Sequence, residues 1–201
     1  MRSLLLYLLI SILFLGNVKA EDYSGFLVGY TKHIAEDPHD SAGSTYNNDP
    51  EENGLVIGYF FGQKSDGTAI EGEVSYYTEV NQNLTTGLDV DVSTLTSMLN
   101  FMATPGDGEF YGILGGGVGI GYTMVDTNYK SGSTTFNGEN ETLQFGYQLM
   151  AGFGSGNYEV LLKRSNFGEV KGASGTTSAG GTYVADEFDN IYNSLVFKIK
   201  Y

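Results

Sequence analysis

Cysteine and tryptophan are absent from the 201-residue sequence, proline occurs three times and histidine twice. Without cysteine there is no disulfide framework and no lipid-modified N-terminus, so stability must come from elsewhere. Basic residues are also scarce, 10 against 24 acidic. Affinity for nucleic-acid phosphates is supplied mainly by Lys and Arg, so a nucleic-acid partner is excluded. After Ala20 no apolar run approaches the roughly 20 residues that a membrane helix needs. That absence leaves strands open, because a transmembrane strand needs only about 9 to 11 residues and alternates apolar with polar.

The first twenty residues stand apart. Arg2 precedes an apolar run from Leu4 to Leu15, followed by a short polar stretch ending Val18-Lys19-Ala20. The run is short for a spanning helix, and small residues occupy the positions a signal peptidase reads, so residues 1–20 are predicted to be a signal peptide cleaved near Ala20. Arg2 and Lys19 leave with it, and residues 21–201 then carry 8 basic and 24 acidic residues, a formal charge of 8 − 24 = −16. These 181 residues suit one domain, and glycine is about twice its usual share of roughly 7%.

Period two is clearest at the C-terminus, where Ile191, Leu195, Phe197, Ile199 and Tyr201 fall on one face and Tyr192, Ser194, Val196, Lys198 and Lys200 on the other. In residues 69–80, Ile70, Val74, Tyr76 and Val80 share one face while Glu71, Glu73, Ser75, Tyr77 and Glu79 share the opposite one. In residues 141–153, Leu143, Phe145, Tyr147, Leu149, Ala151 and Phe153 oppose Thr142, Gln144, Gly146, Gln148, Met150 and Gly152. Weaker strands over 23–33, 54–62, 93–103, 108–125 and 157–167 bring the count to eight. The connections alternate, with 63–68, 104–108 and 154–157 short and 34–53, 81–92, 126–140 and 168–190 long and polar. That order places the long loops at one end and both termini at the other. The expectation is an all-β, eight-stranded antiparallel up-and-down transmembrane β-barrel, closed because an unpaired strand edge in lipid costs several kcal/mol. A soluble barrel or a β-sandwich with the apolar face inward is the alternative; it leaves the final Tyr201 without a role.

These residues resemble the OmpA/OmpX-like outer-membrane β-barrel proteins, and the resemblance covers the whole of 21–201. It is carried by the C-terminal Leu195, Phe197, Ile199 and Tyr201, by the tyrosine-then-glycine strand Phe110–Tyr122, and by the acidic strand Glu71-Gly72-Glu73-Val74-Ser75-Tyr76. It implies a bacterial outer-membrane location and contact with outer-membrane lipid and lipopolysaccharide. It also implies recognition of the C-terminal strand by the barrel-assembly machinery, and a structural or adhesin-like surface role with an unnamed partner. The family more often ends in Phe, and Tyr and Phe must fill the girdle that Trp usually supplies.

Glycines 115, 117, 119 and 121 alternate onto the predicted inner face, where an eight-stranded barrel is barely wide enough for side chains. The run matches no phosphate-binding fingerprint. Glu71, Glu73, Glu79 and Glu159 are expected to face inward against Lys163, Lys198 and Lys200, with Gln144, Gln148 and Asn100 completing a polar lumen network. A low-dielectric interior penalises an unpaired charge. The network either fills the lumen or gates a narrow, porin-like water path. The acidic loops, densest at Glu36, Asp37, Asp40, Asp49, Glu51 and Glu52, read as solvated, although oxygen-rich loops also suit divalent cations. Neither a metal motif nor a cofactor is predicted. Some outer-membrane barrels modify lipid A or cleave peptides with a rim histidine; here His33 is placed at the outer end of strand one. No second catalytic motif accompanies it, and a non-enzymatic protein is expected.

Overall fold

The computed structural model describes residues 21–40, 46, 49–65, 67–106 and 109–201. The predicted signal peptide, residues 1–20, lies outside them. Ten strands follow in order: β1 (Glu21–His39), β2 (Glu51–Ser65), β3 (Thr68–Thr85), β4 (Leu88–Ala103), β5 (Phe110–Ser131), β6 (Thr134–Ser155), β7 (Tyr158–Lys171), the short β8 (Gly175–Thr176) and β9 (Thr182–Tyr183), and β10 (Glu187–Lys200). Eight of them close into an antiparallel barrel in the order β1-β10-β7-β6-β5-β4-β3-β2, and β8 and β9 form a separate small hairpin. Closure runs through β1 and β10, paired from Gly25↔Lys200 upward.

Alternation decides which side of the wall each residue takes. Phe26, Val28 and Tyr30 on β1, Leu143, Phe145, Tyr147 and Leu149 on β6, and Leu195, Phe197 and Ile199 on β10 are all exposed. Their neighbours in sequence point into the lumen. This outward apolar belt is the lipid-facing part of the barrel, and the aromatic pairs Phe26–Tyr59 and Tyr158–Phe197, 5.4 and 5.8 Å between ring centroids, lie on it.

The strands are longer than the sequence pattern predicted. β5 and β6 have 22 residues each, about twice what a bilayer crossing requires. Of the four long loops expected, 81–92 and 126–140 are strand hairpins with two-residue turns, in which Gly87 and Gly132 take φ of +80° and +60°. They carried a strand signal that polarity concealed. Leu84, Leu88, Val90 and Val92 continue a period of two, but they point inward, while Asn81, Asn83, Asp89 and Asp91 point to water.

Above the belt the wall splits. The β2–β3 ladder ends at Val56↔Tyr77 and the β6–β7 ladder at Tyr147↔Asn166. Both seams start beside a β-bulge. On β3 the register against β4 shifts between Tyr77 and Val80, and on β7 it shifts against β10 just above Asn166, where Gly168 has φ +74°. Bulges bend a strand and increase its twist, which carries it away from its former neighbour. The result is a crown of two facing four-stranded leaves, β3-β4-β5-β6 and β2-β1-β10-β7. Side chains bridge the seams instead of ladder bonds: Leu55 N–H donates to Thr78 Oγ1 at 2.9 Å, and Asn140 Nδ2 donates to the Lys171 carbonyl at 2.9 Å.

Candidate functional site

The lumen is filled in three tiers. At the closed end of the belt, Glu159 Oε1 accepts bonds from Lys200 Nζ and Tyr111 Oη, each at 2.8 Å, and Lys198 Nζ lies 3.4 Å from its other oxygen. One step higher, Lys198 donates to Glu71 Oε2 at 2.5 Å, and Lys163 donates to Glu73 Oε1 at 2.5 Å. Three carboxylates thus meet three ammonium groups. Neutral donors add to this: Asn100 Nδ2 reaches Glu71 Oε1 and Glu73 Oε2 at 3.4 Å each, while Tyr23 Oη joins Lys198 on Glu71 Oε2 at 3.3 Å and Ser75 Oγ joins Lys163 on Glu73 Oε1 at 2.8 Å. Gln148 Nε2 donates to Asn100 Oδ1 at 2.5 Å.

The glycine strand makes room for this network. A Cβ on Gly117 would stand 2.1 Å from Asn100 Oδ1, so no other residue leaves the amide where it can bind both glutamates. Lysine ammonium groups also use the ring faces around them: Lys198 lies 3.9 Å from the Phe60 centroid, and Lys64 lies 3.7 Å from that of Tyr111. Tyr23, Lys64 and Tyr111 were not anticipated as members. Tyr23 and Tyr111 carry no charge to single them out, and Lys64 fell within 63–68, which reads as a short connection in the sequence although β2 continues to Ser65.

The second tier is a collar of aromatic and hydroxyl groups. Tyr77 stacks on Tyr192 at 4.2 Å, and Tyr192 Oη bonds to Thr94 Oγ1 at 2.9 Å. Asn190 Nδ2 donates to Thr123 at 2.9 Å and to Thr94 at 3.2 Å. Here the structure corrects the placement of His33, which is fully enclosed rather than at the rim. Its Nε2 bonds to Asn190 Oδ1 at 2.9 Å and its Nδ1 to Gln82 Nε2 at 2.7 Å. Both ring nitrogens are committed to amides, which leaves neither for a carboxylate or a hydroxyl nucleophile. Gln144, expected in the charged network, belongs to this tier; it accepts from Thr123 Oγ1 at 3.3 Å and donates to the Glu169 carbonyl across the β6–β7 seam.

The third tier lies inside the crown and is apolar. Val80, Leu84, Leu88, Val90, Val92 and Val125 from one leaf pack against Ala35, Val170 and Phe188 from the other, with Tyr46, Tyr129 and Tyr183 at the edge. Glu79 is a second correction. It was expected inward with Glu71 and Glu73, but the β3 bulge inserts one residue after Tyr77, so that Val80 turns in and Glu79 faces solvent. The crown's outer skin is therefore acidic where the belt's is apolar, and its interior is apolar where the belt's sets ion pairs among apolar side chains such as Leu27, Phe60 and Leu161. At its edge, Tyr46 and Tyr183 both donate to Asp186, and burial together with that carboxylate pushes both phenols above their usual range.

The C-terminal residues lie outward on β10. Leu195, Phe197, Ile199 and Tyr201 are exposed, the Tyr201 ring is 5.9 Å from that of Phe26, and Tyr201 N–H donates to the Ser24 carbonyl at 2.9 Å. Together they complete the belt at the seam where the chain closes on itself.

No protein-family model matches the sequence, and no curated protein does. Among solved structures, the crystal structure of Ail, the attachment invasion locus protein of Yersinia pestis, is similar over 90% of this chain and 99% of its own, with 10% identity and a TM-score of 0.54. Ail in complex with the heparin analogue sucrose octasulfate matches over the same shares, with 12% identity and a TM-score of 0.53. At this level of identity the likeness shows a shared fold, the small eight-stranded barrel of outer-membrane proteins.

Proposed function

We propose that the protein is a non-enzymatic barrel of the bacterial outer membrane, directed there after loss of residues 1–20, whose working part is the outer surface of its crown. The observation that carries this reading is the filled lumen. Ion pairs, a hydroxyl collar and an apolar plug succeed one another along the axis, and Glu73, Tyr192, His33 and Phe188 are each buried. A conducting path would have to breach all three tiers. The lipid-modifying alternative loses its proposed residue, because His33 is sealed between Asn190 and Gln82.

A surface role suits the construction. The belt needs only about half of β5 and β6, and the remainder projects a polar face carrying Glu79, Asp89, Asp91, Asp126, Glu139 and Glu141. Such a face favours a basic partner, or one bridged by cations, over a polyanion of the kind Ail binds. In the same reading the C-terminal Leu195, Phe197, Ile199 and Tyr201 present the strand to the assembly machinery. The belt contacts outer-membrane lipid and lipopolysaccharide, with Lys32 and Arg164 near the outer margin of the apolar zone.

The test is to express the full chain on cells beside a form with the β3–β4 and β5–β6 hairpins trimmed back to Thr94 and Thr123. Both are expected in the outer-membrane fraction with heat-modifiable migration, and only the full chain should confer attachment to cationic or Ca2+-bridged surfaces. Steady unit conductance of the full chain in planar bilayers would replace this reading with the channel.

A further inference from the structure

High in the crown, three strands of one leaf each bring a metal-binding side chain to a common point. His39 follows a bulge on β1 between Glu36 and His39, where Asp37 takes φ +49°; Glu169 follows Gly168 on β7; Glu187 opens β10. One ligand atom from each lies within 4.8 Å of the other two. The imidazole is oriented: its Nδ1 is hydrogen-bonded to the Asp37 carbonyl at 2.9 Å, which fixes the proton on Nδ1 and turns the Nε2 lone pair toward Glu187 Oε2 at 3.6 Å. Metal-bound histidines are typically held in this way, with the far ring nitrogen donating to a carbonyl or carboxylate.

We propose that His39, Glu169 and Glu187 form a binding site for a first-row transition ion, best matched by Zn2+, with water completing the coordination. The distances fit. Zinc bonds of about 2.0 to 2.2 Å to nitrogen and carboxylate oxygen set the edges of a tetrahedron near 3.4 Å, about the separation His39 and Glu187 already have. Glu169 is exposed and closes the remaining gap by changing its own rotamer. Lys171 is no obstacle, since it takes Oε1 of Glu187 and leaves Oε2 for the ion. An imidazole among the donors selects against Ca2+ and Mg2+, which prefer oxygen alone. Elsewhere on the crown, Asp89 and Asp91 already accept bonds from Asn83 and Asn81 at 2.8 and 2.7 Å, and no imidazole joins them. The bound ion would tie the upper ends of β1, β7 and β10 together at the roots of the connections 40–50 and 172–186.

The experiment is calorimetric titration of Zn2+ into the folded full-length barrel in micelles, with Co2+ as a spectroscopic probe. One saturable equivalent is expected, accompanied by visible absorption of tetrahedral Co2+. His39→Ala and Glu187→Gln should each weaken binding by at least about tenfold and abolish the Co2+ bands, whereas Asp91→Asn changes neither. Heat-modifiable migration checks folding in every variant, and His39→Gln replaces His39→Ala should that form fail to fold. Binding of several equivalents that survives both His39→Ala and Glu187→Gln would mean diffuse attraction to the acidic crown and would overturn the site, as would the absence of binding.

Discussion

The belt and the crown are built from the same strands and obey opposite rules. In the belt the outer face is apolar and the interior sets ion pairs among buried apolar side chains such as Leu27, Phe60 and Leu161; in the crown the apolar residues face in and carboxylates cover the outside. Each half follows its solvent. Lipid requires apolar contact and closed ladders, whereas water permits two leaves with seams between them, provided an apolar core holds them together. The change of rule occurs within single strands, over a few residues around Tyr77, Tyr122 and Tyr192, and the hydroxyl collar lies at that height. Groups able both to stack and to hydrogen-bond suit a boundary between a charged interior and an apolar one.

The largest effect should come from breaking the belt's interior. Lys163→Met strands Glu73 in the closed lumen and is expected to cost about 3 to 5 kcal/mol in urea unfolding from micelles. Adding Glu73→Leu in the same chain should restore most of it. If the single variant unfolds like the parent, the ion pairs are not what holds the belt's interior. In the crown the corresponding test is Leu88→Ala, which empties part of an apolar core, at about 2 to 5 kcal/mol. Its loss should be local, with amide exchange accelerating over 80–94 and 123–131 but not over 95–103. Uniform acceleration would show that belt and crown unfold as one unit.

A smaller effect tests how the halves are joined. Gly168 has φ +74° with open space around it, so Gly168→Ala isolates the conformational cost of the β7 bulge, about 1 to 2 kcal/mol. An unchanged midpoint would mean that β7 can carry the bulge without a left-handed residue. The smallest effect is in pH. The phenols of Tyr46 and Tyr183 are raised in the folded crown by burial and by Asp186. Their contribution is thus complete below the ordinary tyrosine value of about 10 and is lost as pH rises above it. Tyr183→Phe should flatten that alkaline loss of crown protection, and an identical profile for the variant would dismiss the contact.

The same division explains what was legible in the sequence. The belt could be read because lipid-facing residues such as Leu143 to Phe153 alternate with polar ones against a known orientation. Eight strands, antiparallel closure and an inward Glu71, Glu73 and Lys198 followed from that. The crown's hairpins were read as loops because their outward residues are Asn and Asp, although Leu84, Leu88, Val90 and Val92 kept the period. Glu79 was misplaced because one extra residue in a strand reverses parity, and no local composition marks a bulge at Thr78-Glu79. The convergence of His39, Glu169 and Glu187 could not be read at all, since it depends on three strands and two bulges far apart in the chain.

The two seams have a mechanical consequence. A continuous tube carries a bending load around its whole circumference, whereas a tube slit lengthwise behaves as two separate cantilevers rooted in the uncut part. A partner pulling on one leaf of the crown would therefore flex that leaf about its root and leave the hoop of hydrogen bonds in the belt unstretched.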